Sequence, residues 1–327
     1  MTNPLVSLCI PTYNGEKYLV ECLESCINQS FKDYEIIICD DCSSDNTISI
    51  IESYASKYSN IKFYQNEKNL GLVGNWNKCL DLSSGAWIKF VFQDDYITYD
   101  CLEKFASKIG EHTQLIVCKR HFILPENANV DFAHYYNNVV RTLENTSSFK
   151  GKEFTPELIS KIAVENICLN FIGEPSLIFF RKSVVKEIGF FNSSLKQICD
   201  LEFALRIATK YGLTYIPEKL CAFRIHEGST TSANVGGKYY EMHYIEPLLF
   251  SYELLFNIRF SAFRSSLNIF QLFKLKIYFQ FKAYKANLVN LKEKREHHLF
   301  SSNNISYRKI LEYKNGNLFI KLIAAIR

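Results

Sequence analysis

The sequence predicts an α/β protein with a mostly parallel central sheet and a helical C-terminal region. Three observations in the first 120 residues predict it. Strand-like and helix-like runs alternate, as βαβ units require. One of the strand-like runs, Ile36-Ile37-Ile38, is apolar without alternation, the mark of a strand covered on both faces. Two strands stop on paired aspartates, and open α/β sheets hold their ligands at the carboxyl ends of strands.

Residues 5–10 read as the first buried strand and residues 11–14 as a turn. Tyr18, Leu19, Cys22, Leu23, Cys26 and Ile27 then recur at helical spacing until a stop near residues 28–30. Residues 34–39 form a second strand that runs into Asp40 and Asp41. Ser43, Ser44 and Asp45 offer N-caps for a helix reaching about residue 58, and residues 61–65 give a third strand. A turn at 69–74 leads into a short helix through Leu82. Gly85 breaks it, and residues 86–92 make a fourth strand ending at Gln93-Asp94-Asp95. Farther on, residues 175–180 read as a strand and residues 200–211 as an amphipathic helix bearing Phe203, Leu205, Ile207 and Ala208. Residues 213–216 and 220–225 read as a strand pair leading to His226. From about residue 241 the pattern is helical, aromatic and basic, so the chain divides into 1–240 and 241–327.

Composition excludes several classes. With 47% hydrophobic and 22% charged residues the chain is neither disordered nor collagenous, and 327 residues bury a core without staples. No apolar run approaches the roughly 18 residues of a membrane span, and the N-terminus lacks a basic segment ahead of an apolar one, so the expectation is a cytoplasmic chain. The eleven cysteines are odd in number and dispersed, which fits reduced thiols. Cys39 and Cys42 make a C-x-x-C, yet the intervening Asp40 and Asp41 disfavour a thiolate. No second pair completes a zinc site. Charge is uneven: residues 1–250 carry 24 Lys+Arg against 30 Asp+Glu, and residues 251–327 carry 14 against 4. No G-x-G-x-x-G and no P-loop follows a strand, so phosphates would be handled through a metal.

Four motifs in order carry a resemblance: P-T-Y-N at 11–14, the block from Asn28 to Thr47 containing C-D-D-C-S-S-D-N-T, N-L-G-L-V-G-N-W-N-K at 69–78, and Q-D-D at 93–95. Together the chain resembles family 2 glycosyltransferases of the GT-A fold, especially those that assemble bacterial surface polysaccharides, over roughly residues 4–230. The resemblance implies an inverting, metal-dependent transfer from a nucleotide sugar, UDP-linked first of all, to a glycan or lipid-linked glycan.

A diphosphate leaving group facing carboxylates needs a hard divalent cation, Mn²⁺ or Mg²⁺, with oxygen ligands. By the resemblance Asp95 is the metal ligand and Asp94 faces ribose or sugar. Pro11 and Tyr13 begin the base pocket, with Tyr13 stacking on the base, Asp41 accepting from its ring N–H and Glu16 as a further candidate. Gln93 replaces the first acid of the family's D-x-D. Asp200, ahead of Leu205-Arg206-Ile207-Ala208, aligns with the catalytic base, and Cys199 replaces its usual acidic neighbour. Glu202 is a first-turn candidate for touching the acceptor, and Gly173-Glu174-Pro175 resembles a loop beside it. His226 would complete the metal site or meet the diphosphate, and Arg224 would pair with phosphate. Taken by their residue types alone, Tyr13 is also a turn tyrosine, Asp41, Asp95 and Asp200 are also helix caps or turn residues, and His226 is also a structural histidine. The rivals in function are a nucleotidyltransferase and a non-catalytic binding protein of the same fold.

The basic, aromatic tail admits two explanations. It docks on an anionic membrane surface, which would put the protein peripherally on the inner face of the cytoplasmic membrane, or it packs on the catalytic domain or a second copy in a homo-oligomer. Nucleic acid is not expected as a partner, because the first 250 residues are acidic.

Overall fold

The structure is a computed structural model that describes residues 3–134, 136, 140, 142–146, 153–226 and 245–296. Eight strands form one sheet: β1 (Val6–Thr12), β2 (Tyr34–Asp40), β3 (Ile61–Gln65), β4 (Trp87–Phe90), β5 (Tyr96–Ile97), β6 (Leu115–Ile123), β7 (Ile178–Arg181) and β8 (Thr214–Arg224). Their order is β3-β2-β1-β4-β7-β6-β8-β5. β1 to β4 are parallel, β7 reverses between β4 and β6, β8 runs with β6, and β5 reverses at the edge. The carboxyl ends of β1, β2, β4, β6 and β8 therefore share one edge of the sheet.

β1 and β2 are buried along their whole length, as the unalternating apolar runs require. The helices between the early strands are α1 (Leu19–Ile27), α2 (Thr47–Ala55) and α3 (Leu72–Leu82), and α4 (Cys101–Ala106) follows β5. Each early helix turns an apolar stripe to the sheet; α1 buries Leu19, Cys22, Leu23 and Cys26. The later helices are α5 (Val130–His134), α6 (Pro156–Glu165), α7 (Val185–Ile188), α8 (Cys199–Tyr211), α9 (Glu246–Phe256), α10 (Ser261–Ser265) and α11 (Ile269–Glu296). Phe260 and Phe263 are fully buried in the same core as the sheet, so the helices after residue 245 share it.

Three expectations are refined. The strand pair after residue 213 is one continuous strand, β8, whose ladder with β6 continues through register shifts at Cys118–Arg120. The amphipathic helix at Asp200 is buried on nearly every side, with Glu202 and Arg206 of its polar face enclosed as well, because α6, α7 and α10 pack round it. Residues 175–177 are a short 3₁₀ turn, and the strand begins at Ile178.

All eleven cysteines are free thiols, and nine of them are buried. Burial pushes Cys9, Cys79 and Cys199 well above the ordinary thiol range. Cys39 lies inside the core while the Cys42 thiol donates to the Asn66 carbonyl at 3.1 Å.

Candidate active site

The loops that leave β1 and β2 interlock. Thr12 Oγ1 donates to Asp40 Oδ1 at 3.0 Å and Ser43 N to Asp40 Oδ2 at 2.9 Å, so the buried Asp40 is a scaffold for both loops. Asp41 does a similar job one residue on. Its Oδ1 accepts from Leu70 N at 2.7 Å and Asn66 Nδ2 at 2.9 Å, and its Oδ2 from Gly71 N at 2.9 Å. The N-L-G motif is thereby the turn that cradles this carboxylate, and Oδ2 retains a second lone pair.

Pro11 lies buried within β1, opposite Cys39 on β2, and starts the turn that carries Tyr13. The Tyr13 ring is half exposed. Its backbone is clamped by Gln93, which accepts from Tyr13 N at 2.8 Å and donates to Tyr13 O at 3.0 Å. That approach is so close that a Cβ on Gly15 would fall 2.3 Å from Gln93 Oε1. Glu16 is engaged at the start of α2, accepting from Asn46 N at 3.0 Å and Asn46 Nδ2 at 2.7 Å.

At the end of β4 the acidic pair splits its duties. Asp94 Oδ2 meets His226 Nε2 at 3.0 Å, while Asp95 is buried and its Oδ1 accepts from Arg224 N at 3.0 Å. Asp95 Oδ2 is buried and has no hydrogen-bond partner among the described residues. Burial first, and then the negative Asp94, push Asp95 well above the usual carboxylate range. A carboxylate in that state is one that a cation would satisfy. Among the described residues no three His, Cys, Asp or Glu side chains converge on one point. The donor set therefore fits a hard ion that draws its remaining oxygens from substrate phosphates and water, as Mg²⁺ commonly does.

Arg224 is held by its neighbours in the site. Its guanidinium pairs with Glu21, donates through Nε to the Asp94 carbonyl at 3.0 Å and lies 4.6 Å from the Tyr18 ring centre. His226 packs edge-on against the same ring at 5.0 Å. Tyr18 thus organises the two C-terminal residues of the site. Nothing in its helical spacing marks it out from the apolar residues of α1 that follow it.

Asp200 sits in the first turn of α8, where the helix dipole favours an anion. Its Oδ2 accepts from Asn170 Nδ2 at 2.8 Å and its Oδ1 from Leu201 N at 2.6 Å. The sequence suggests a carboxyl of ordinary acidity there. Removal from water, with a smaller push from Glu174, instead raises it to about 7, despite the opposing hydrogen bonds. Asn170 also accepts from Gly173 N at 2.8 Å, tying Asp200 to the Gly173-Glu174-Pro175 loop, and Gly173 holds a φ of +115° that suits glycine. Glu174 is anchored by the buried Arg120. Glu174 raises Asp95 as well as Asp200, so three carboxylates share one electrostatic neighbourhood.

Glu202, the first-turn candidate for the acceptor, points into the interior. It pairs with Arg206 at 2.8 Å, both side chains 1% exposed. Arg206 in turn donates to the carbonyls of Ile188 and Phe190, which explains the arginine of the Leu-Arg-x-Ala run as a pin between α8 and the turn after α7. Sequence reasoning also passed over Asn170 and Glu246. Glu246 accepts from Lys196 N, Gln197 N and Ile198 N at 2.9, 2.8 and 3.1 Å and fixes the chain just ahead of α8. Neither lies in a recognisable motif; only the long-range contact reveals it. Residues 227–230, beyond His226, lie outside the described residues.

The chain is 28% identical over 233 residues to chondroitin synthase of Escherichia coli, covering 70% of this chain and 30% of that protein. It is 41% identical over 109 residues to poly(ribitol-phosphate) beta-N-acetylglucosaminyltransferase TarS of Staphylococcus aureus, covering 32% of this chain and 19% of that protein. The chain thus spans less than a third of the length of either relative. The crystal structure of S. aureus TarS 1-349 in complex with UDP-GlcNAc superimposes with a TM-score of 0.59 and 26% identity, over 80% of this chain and 70% of that one. The profile described as glycosyl transferase family 2 matches residues 7–187, more than half of the chain, and the chain belongs to that family.

Proposed function

We propose that the chain transfers a sugar, with inversion, from a nucleotide sugar to a hydroxyl of a glycan or lipid-linked glycan in the building of a surface polysaccharide. A UDP-linked donor is the first choice, because TarS is described with UDP-GlcNAc. The observation that carries the reading is the geometry of two buried carboxylates: Asp95, whose Oδ2 has no hydrogen-bond partner among the described residues, and Asp200, oriented by Asn170 and Leu201 N in the first turn of α8.

In this reading Tyr13 and Asp41 hold the base, and Asp95, with Asp94 and His226 beside it, holds a divalent ion. When bound there, such an ion would supply positive charge beside the diphosphate. Asp200 takes the proton of the acceptor hydroxyl while the hydroxyl oxygen bonds to the anomeric carbon. The bond from that carbon to the diphosphate oxygen breaks on the opposite face, and its electron pair departs with the nucleotide. A base with a pKa of about 7 is matched to this task near neutral pH. Asn170 and the first turn of α8 orient it.

The test is nucleotide release from UDP-GlcNAc and a panel of other UDP- and GDP-sugars, with Mn²⁺, Mg²⁺ or chelator. Release that requires the ion and disappears in Asp95→Asn is the expected result. Absence of both donor binding and release across the panel would sink the proposal.

A further inference from the structure

α11 carries two apolar faces. Leu275, Phe279 and Ala286 are buried on one side, where Phe279 packs on Tyr252 and Phe256 of α9. At about 100° per residue, Phe270, Phe273, Ile277, Phe281 and Tyr284 fall together on the opposite side. They are 80, 52, 47, 53 and 44% exposed. Single exposed apolar residues are ordinary on a protein surface, but a stripe running along four turns is not. Lys274 and Lys285 border the stripe on one flank and Lys276 lies toward the other; all three are exposed, and none forms an ion pair with a described residue. From Ile269 to Ala286 the sequence contains no Asp or Glu.

We propose that this outward face of α11 docks on a bilayer surface rich in acidic phospholipids. Apolar rings entering the headgroup boundary and lysines meeting lipid phosphates add their effects. The flanking charge selects this occupant over two others. A second copy would bring the same lysines against these. Residues 297–327 of the chain itself carry five Lys+Arg and one Glu, again the same sign. The helix that bears this face is also joined to the site by another side: Tyr278 Oη donates to Cys168 Sγ at 3.4 Å, two residues from the Asn170 that holds Asp200. No described helix is long and apolar enough to cross a membrane, so attachment here is by lying on the surface.

The experiment is flotation of the full chain with vesicles containing phosphatidylglycerol and with pure phosphatidylcholine vesicles, at low and high salt. Binding is expected to the anionic vesicles, weakened at least about tenfold by high salt, by Lys274→Glu with Lys285→Glu, and by Phe273→Ser with Phe281→Ser. The substituted side chains are exposed, so the variants should melt with the wild type, and melting curves check that. Equal binding to both vesicle types, or binding that both double variants retain, would overturn the proposal. So would failure to bind at all, including the case where the serine variant merely dissolves a self-associated species. Nucleotide release is measured without vesicles, so this proposal and the transferase reading fail separately.

Discussion

The division of labour between Asp95 and Asp200 is set by what each carboxylate already holds. Among the described residues Asp95 Oδ2 has no partner, whereas both oxygens of Asp200 accept hydrogen bonds. Asp200→Asn keeps the shape and removes the base, so donor binding should persist while turnover falls on the order of 10²-fold or more. Single-turnover kinetics beside donor titration checks this, and unchanged turnover would exclude Asp200. Asn170→Ala removes the amide donor to Asp200 and also frees Gly173 N in the neighbouring loop. The amide favours the charged carboxylate, so its loss should move the acidic limb of the pH–rate profile upward from about 7. A lower rate with an unmoved limb would make Asn170 a packing residue only. Asp41, Asp95 and Asp200 were legible in the sequence because each sits at a strand or helix end inside a motif. Gln93 was legible only as a departure from the family's acid. Its role as the clamp on Tyr13 depends on a contact across 80 positions, which no local pattern encodes.

Elements succeed or fail as sequence readings for a similar reason. β1, β2 and β3 announce themselves by apolar runs bounded by turns, and their helices by the 3.6-residue repeat. β6 escaped because its Leu115–Cys118 half is buried while its Lys119–Ile123 half is mostly half-exposed and carries Lys119, Arg120 and His121. β8 looked like two strands because Pro217, Glu218 and Lys219 interrupt its apolar residues, yet the ladder with β6 carries it through. Besides its own buried residues and the Arg206 pin, α8 is positioned by Glu246, which fixes the chain just ahead of it. Burial raises that carboxyl even though three backbone N–H groups donate to it. Glu246→Gln keeps one acceptor oxygen and turns an NH₂ toward those donors, which should cost about 2–4 kcal/mol as buried donors lose partners. Urea unfolding with an unchanged slope and a lower midpoint is the expected reading. A midpoint within error of wild type would show that α8 is held elsewhere.

For the molecule as a whole, buried carboxyls make stability depend on pH in an unusual sense. Asp200 and Glu202 are both raised to about 7 by burial, against an ordinary value near 4 in the unfolded chain. The folded state therefore binds more protons between those values, and stability is lost as pH rises through about 7. Glu35, held to about 2 by Lys62, Ser7 and Ser84, works the other way and withdraws its contribution only as pH falls toward that value. Denaturant midpoints in chelator should thus be higher near pH 5.5 than near pH 8, with Asp200→Asn flattening the decline. A flat or rising profile would contradict the buried geometry of α8.

The nine sequestered thiols extend from β1 to β8, through α1, β2, α3, α4, β6 and α8. An alkylating reagent applied to the native protein reaches Cys42 and Cys168 first, since only these are not fully enclosed. Every other thiol becomes labelled only when its own segment opens, so the mass of each cysteine peptide over time is a clock for local unfolding. The chain carries its own reporters for whether donor binding closes the β1–β2 loops, read at Cys42, independently of whether it tightens the loop behind Asp200, read at Cys168.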